Sequence, residues 1–140
     1  MTRRIAVLLL IAGLLVPMAG RAEEAADSVA IRSVIERQLS AFRRDDGPGA
    51  FAFAAPVIKR KFATPNNFME MVRRHYGPVY RPQEVVFQDL RQSPRGPVQE
   101  VLFVGPDGQP VLAYYFMERQ TDGSWKVAGV QLMLAPDLTA

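Results

Sequence analysis

Over residues 64–86, TPNNFMEMVRRHYGPVYRPQEVV, the chain changes its periodicity. Before this stretch the apolar residues recur at helical spacing; after it they alternate. Thr64 is placed to cap a helix whose first position is Pro65, where the missing amide proton leaves no hydrogen bond unmade. Phe68, Met71, Val72 and His75 then fall on one helical face. Gly77-Pro78 stops that helix, and Arg81-Pro82 turns the chain into an extended path toward Val85 and Phe87. A helical layer followed by a sheet is the expectation, which is the α+β class.

Upstream, Asp27 or Ser28 can cap a helix running to about Arg44, with residues 23–26 fraying ahead of it. Ile31, Val34, Ile35, Leu39 and Phe42 form one apolar stripe on that helix. Asp45-Asp46-Gly47-Pro48-Gly49 breaks it. Asp46 can cap a short helix carrying Phe51 and Phe53, Ala55-Pro56 ends that one, and a further turn holds Val57, Ile58 and Phe62. Adjacent aspartates at such a corner read as caps and loop solubilisers rather than as a metal or catalytic pair.

Downstream, residues 84–91, 98–104, 111–119 and 125–134 read as four strands of an antiparallel meander. Asp107-Gly108 and Asp122-Gly123 are strong hairpin signals, and SPRGP (residues 93–97) is a looser loop. Two-residue turns at both Asp-Gly pairs place Tyr114 between Val101 and Gln131, and Tyr115 between Glu100 and Val130. One face then collects Glu100, Leu102, Ala113, Tyr115 and Val130. The other collects Val101, Phe103, Tyr114, Val127 and Gln131. A one-residue slip would exchange these sets. Both faces are largely apolar, whereas a sheet with one wet face alternates more cleanly. Helices can cover one face; the other is expected to meet a partner, a second copy of the chain or a ligand.

The first 22 residues have the build of a secretory signal: Arg3 and Arg4, an apolar core from Ile5 to Val16 broken by Pro17, and small residues around Arg21. The apolar run is short of the ~20 residues a spanning helix needs. Cleavage and export to the periplasm or beyond are therefore expected. Residues 23–140 are left as one domain with no membrane attachment. The chain carries 17 Lys and Arg against 14 Asp and Glu, and Arg3, Arg4 and Arg21 leave with the signal, so the remainder is near neutral. That removes the net basic surface on which nucleic-acid binding usually rests, and no nucleic-acid partner is expected. Lys59-Arg60-Lys61 and Arg73-Arg74 read as solvated helix faces rather than anion sites. With no cysteine there is no lipid-attachment site, disulfide, thiol nucleophile or thiolate metal site.

His75 is the only histidine, which excludes the usual zinc ligand sets, and no metal or other cofactor is expected. Its place in the last turn of a helix, where positive charge meets free carbonyls, accounts for it without an acid–base role. No Gly-x-Ser-x-Gly turn and no phosphate-cradling glycine loop occurs. Tyr114, Glu118 and Gln131, with Gln99, are the polar groups on an otherwise apolar sheet face, the usual make-up of a small-molecule pocket. Tyr80 and Arg81, after the third helix with Tyr76, form a candidate rim. Plainer readings exist for each: a Tyr114–Gln131 hydrogen bond across strands, a Glu118 that reaches solvent, packing aromatics with a snorkelling arginine. Trp125, the only tryptophan, opens the last strand and is expected to be buried, because an exposed indole beside a turn would display an apolar patch.

Three helices and a long meander ending in Trp125-Lys126-Val127-Ala128-Gly129-Val130 resemble the cone-shaped α+β fold of nuclear transport factor two-like domains. AFAFAAPVIKRKFATPNNFMEMVRRHYGPVYRPQEVVF (residues 50–87) and GSWKVAGVQLMLAPDL (residues 123–138), with the first helix, more closely resemble a bacterial family catalogued as domain of unknown function four-eight-six-four. The resemblance implies that fold and an exported bacterial setting, and it brings no activity. Enzymes of the wider fold, such as ketosteroid isomerases and scytalone dehydratases, use Asp, Tyr or His within the cone; no such set carries over residue by residue.

Two functions stay open. One is a non-enzymatic exported binding or interaction module, taking a small apolar ligand through Tyr80, Arg81, Tyr114, Glu118 and Gln131 and forming a homodimer through a sheet face. The other is a cofactor-free isomerase, dehydratase or hydrolase with Glu118 or His75 as base and Tyr114 as donor. That version requires Glu118, Tyr114 and Gln131 to face one cavity on the helix side of the sheet.

Overall fold

The computed structural model describes residues 18–135, so Arg3, Arg4 and the apolar core of the expected signal lie outside the described residues. Helices α1 (Met18–Arg43), α2 (Gly47–Ala52), α3 (Pro56–Phe62), α4 (Pro65–His75) and α5 (Gly77–Tyr80) precede strands β1 (Glu84–Ser93), β2 (Gly96–Val104), β3 (Pro110–Arg119) and β4 (Trp125–Leu134). The strands form one antiparallel sheet in sequence order, and the fold is α+β. No helix among the described residues is long and apolar enough to cross a membrane.

Helix α1 begins ahead of the expected cap. Residues 23–26 are helical rather than frayed, because the Arg-Ala-Glu-Glu-Ala-Ala run is made of strong helix formers. The helix buries Ile31, Ile35, Gln38, Leu39 and Phe42 and then ends in a Schellman motif. Asp46 N donates to Ala41 O at 2.9 Å, and Asp45 N donates to Phe42 O at 3.0 Å with Asp45 at φ 52°. Asp46 then caps α2, accepting from Gly49 N at 3.0 Å. The two adjacent aspartates thus end one helix and begin the next. At the other signalled start, Thr64 Oγ1 accepts from Asn67 N at 3.2 Å and caps α4, with Pro65 in the first turn.

The sheet departs from the expected register at the β2–β3 turn. Asp107 does not take a left-handed conformation; Gly108 alone does, at φ 79°, and Gly108 N donates to Gly105 O at 3.0 Å. This is a three-residue connection, a type I turn followed by a left-handed glycine, and it adds one residue to the loop. Asp107 Oδ1 holds it by accepting from Gln109 N at 3.0 Å. Val101 consequently pairs with Ala113, and Glu100 with Tyr114. All of β2 is turned over relative to the expectation: Val101 and Phe103 are buried with Ala113 and Tyr115, while Leu102 and Leu112 face the other way.

The β3–β4 turn has the same form, with Gly123 at φ 85°, but a bulge at Ala128 removes the offset. Tyr114 therefore meets Gln131 and Tyr115 meets Val130 as expected, whereas Val127, nearer the turn, moves to the core side beside Met117. The SPRGP segment is tighter than expected, with Ser93 paired to Gly96 across two residues. A second bulge, at Gln88-Asp89 of β1, is held by the buried Gln99, whose Nε2 donates to Gln88 O at 2.9 Å. Trp125 is buried as expected, 7 % exposed, with the Arg119 guanidinium 5.5 Å from its ring.

Candidate functional site

Between the helices and the core face of the sheet lies a cavity of about 540 Å³. The volume falls within the range of small-molecule sites, and the walls are mainly apolar. Its floor is built by Phe42 of α1, Phe68 and Val72 of α4, and Tyr115 and Val127 of the sheet, all buried. Val57 and Lys61 of α3, His75 of α4 and the edge residues Ala128, Gly129 and Val130 of β4 also line it. Val57, Lys61 and His75 are solvent-exposed and so form the mouth.

Local structure explains why this space stays open. β4 is an edge strand, and among the described residues backbone pairing covers only its first half: Ala55 N donates to Val127 O at 2.8 Å, and Val127 N donates to Phe53 O at 2.9 Å. The Ala128 bulge then bends the strand away. Beyond it, the Tyr76 hydroxyl donates to Val130 O at 3.0 Å and props the end of α4 against the strand.

Few polar groups enter the cavity. Gln38 is buried, and its Nε2 donates to Ala50 O at 3.2 Å. Tyr115 is wholly buried, and its hydroxyl has no hydrogen-bond partner among the described residues. Burial alone pushes the Tyr115 phenol above its ordinary range, so it stands as a neutral hydroxyl and a donor without an acceptor. Leaving such a group unpaired costs about 1–3 kcal/mol, and an occupant bearing an oxygen acceptor would remove that cost.

Of the residues singled out from sequence, His75 and Tyr76 line the cavity and the others lie elsewhere. Tyr114, Glu118 and Gln131 alternate with buried Ala113, Tyr115 and Met117 and so lie on the face turned away from the helices. They do not face a cavity on the helix side, and the arrangement required for Glu118 as base and Tyr114 as donor is not formed. Glu118 is exposed at the strand end, where its Oε1 accepts from Gln120 Nε2 at 3.2 Å.

Tyr80 and Arg81 are not in the cavity wall either. The Tyr80 hydroxyl donates to Asp45 Oδ1, Arg81 Nη2 lies 3.0 Å from Asp45 Oδ2, and Arg81 Nη1 donates to Phe42 O at 2.7 Å. Arg81 also stacks on the Tyr80 ring at 3.9 Å, and Arg73 joins at 3.5 Å from Asp45. This cluster clasps the end of α1 to α4 and α5. The Tyr80 hydrogen bond and, after it, the flanking arginines hold the Asp45 carboxyl below its ordinary value.

Sequence reasoning passed over Tyr115 and Gln38 as lining residues and read Lys61 as part of a solvated helix face. Tyr115 carried a signal, since a tyrosine among inward-facing Ala113 and Met117 must bury a hydroxyl that needs a partner.

The family described as Domain of unknown function (DUF4864) matches residues 24–140 of the chain. No curated protein matches it.

Proposed function

The chain belongs to the DUF4864 family over residues 24–140, and we propose that it is a non-enzymatic binding module which takes a small apolar molecule into the cavity between helices and sheet. The observation that carries this reading is the mainly apolar cavity with Tyr115, its hydroxyl unpartnered among the described residues, in its floor. An oxygen acceptor on the occupant is one way to satisfy that hydroxyl. Binding is favoured over turnover because, among the described residues, no carboxylate, serine or threonine lines the cavity to orient or work with His75, and a phenol held neutral by burial is a poor proton shuttle. The enclosure of such a cavity by helices and a bent sheet agrees with a nuclear transport factor two-like cone.

The test is a thermal shift with 2-nonanone, a neutral apolar ketone. Occupancy of the native state raises the melting temperature, by about 2.7 kcal/mol of stabilisation at a ligand concentration one hundred times Kd. The absence of any shift up to the solubility limit would remove the reading.

On the outer face of the sheet Arg95 lies 4.4 Å over Phe116 and Arg91 Nε 3.1 Å from Glu100, so the chain's own arginines cover part of it. Leu102, Leu112 and Tyr114 stay half-exposed and Met133 is 49 % exposed, with none of the described helices above them. These residues support pairing with a second copy of the chain through this face. Sedimentation at micromolar concentration is expected to give a dimer that Leu112→Lys converts to monomer. The basic and then apolar start of the sequence supports export with loss of residues 1–22, which N-terminal sequencing of the exported protein checks.

A further inference from the structure

The mouth of the cavity differs in chemistry from its floor. Lys61, in the last turn of α3, and His75, in the last turn of α4, both line the cavity and are both exposed. No acidic residue pairs with either among the described residues, and none lines the cavity. The nearby Glu70 on α4 is taken by Arg74 at 2.6 Å. Beside the two basic side chains Val57, 47 % exposed, forms an apolar lip. An ammonium with three donors and an imidazole with at least one thus stand at the entrance to an apolar chamber.

Resting on the cavity as a binding site, and not on an acceptor at Tyr115, we infer that the occupant is a single-chain amphipathic anion, seated with its apolar chain in the cavity and its carboxylate at Lys61 and His75. The head stays at the mouth for a physical reason. A carboxylate carried to the floor would lose its hydration beside a neutral phenol and an amide, with no cation to compensate. At the mouth it keeps part of its water and gains two hydrogen-bonding partners. The chain, not the head, then supplies most of the affinity, through apolar area removed from water. The head sets the preference among amphiphiles of equal length.

Decanoate, 1-decanol and decylammonium, each below its micellar concentration, are titrated calorimetrically into the full-length mature protein. Decanoate is expected to bind about three- to tenfold more tightly than decanol at low salt, the range for two exposed charge contacts. Decylammonium should bind more weakly than decanol. The advantage of decanoate should shrink in 0.5 M NaCl, where screening is effective within a few ångströms. It should fall in Lys61→Gln and pass to decylammonium in Lys61→Glu. Lys59→Gln changes the net charge equally on the same helix but alters no lining residue, and should leave the preference intact. Equal binding of decanoate and decanol, or a preference lost as readily in Lys59→Gln as in Lys61→Gln, would overturn the inference while leaving the cavity reading in place. No binding of decanol or decanoate would instead overturn the cavity reading. Co-sedimentation with phosphatidylglycerol vesicles in place of decanoate binding would show an anionic surface as the target and would also overturn the inference.

Discussion

The Tyr76 hydroxyl and the main-chain carbonyl of Val130, 54 residues apart in sequence, are joined by a hydrogen bond of 3.0 Å at the side of the cavity. Val130 sits on the edge strand, where outward carbonyls have no strand partner, and Tyr76 supplies the donor that a further strand would otherwise give. Tyr76→Phe is expected to lower stability by about 0.5–1.5 kcal/mol, the net worth of one such bond. Urea denaturation of the two proteins checks this, and an unchanged midpoint would mean that the prop is not closed in solution.

The Asp45 cluster makes a pH prediction. Its carboxyl is held below the ordinary value by the Tyr80 hydrogen bond first, with the arginines following. A depressed folded pKa gives stability that is present above the unfolded value, near 3.8, and that is lost as pH falls through the folded value. Asp45→Asn keeps a residue that tolerates the positive φ of this position but removes the charge. The variant is expected to be less stable than the parent at pH 7, with the difference closing as both are taken below about pH 4. A gap that persists at pH 2–3 would show that lost packing, not charge, is responsible.

Ala63 carries local strain. It has φ 65° and ψ −39° between α3 and α4, at the centre of a γ-turn in which Thr64 N donates to Phe62 O at 2.8 Å. Such a turn is unfavourable for any residue with a Cβ. Ala63→Gly removes that penalty and is expected to stabilise the protein by about 1 kcal/mol, read as a rise in the urea midpoint. Destabilisation would mean that the extra freedom of glycine in the unfolded chain outweighs the relief.

Much of the fold was legible because its determinants are local. Thr64-Pro65, Asp46 with Gly47-Pro48, and the alternation in β2, β3 and β4 each fix their own element. The β2 register was not legible. Asp-Gly suits both a two-residue and a three-residue hairpin, and the choice rests on whether Asp107 or only Gly108 takes positive φ. That single residue decided whether Val101 and Phe103 or Glu100 and Leu102 met the helices. The offset in β4 was hidden for the opposite reason, since the Ala128 bulge restores the register far from the turn.

The residues read from sequence and the cavity part through the same step. Polar residues on the sheet drew attention to Tyr114, Glu118 and Gln131, whereas the cavity is marked by Tyr115, one residue away on the opposite face. Tyr80 and Arg81 were visible as a pair, but their partner Asp45 lies 35 residues upstream of Tyr80, and no local pattern links them.

Tyr115→Phe tests the central claim most directly, measured as stability of the ligand-free protein together with affinity for 2-nonanone. The substitution removes only an unpartnered hydroxyl, so the free protein is expected to gain about 1–3 kcal/mol. Binding of the ketone should weaken by about two- to tenfold, because the donor it would use is gone. A variant that loses stability when free and binds the ketone as tightly as the parent would contradict the account, placing Tyr115 in the structure alone and the ligand, if any, elsewhere.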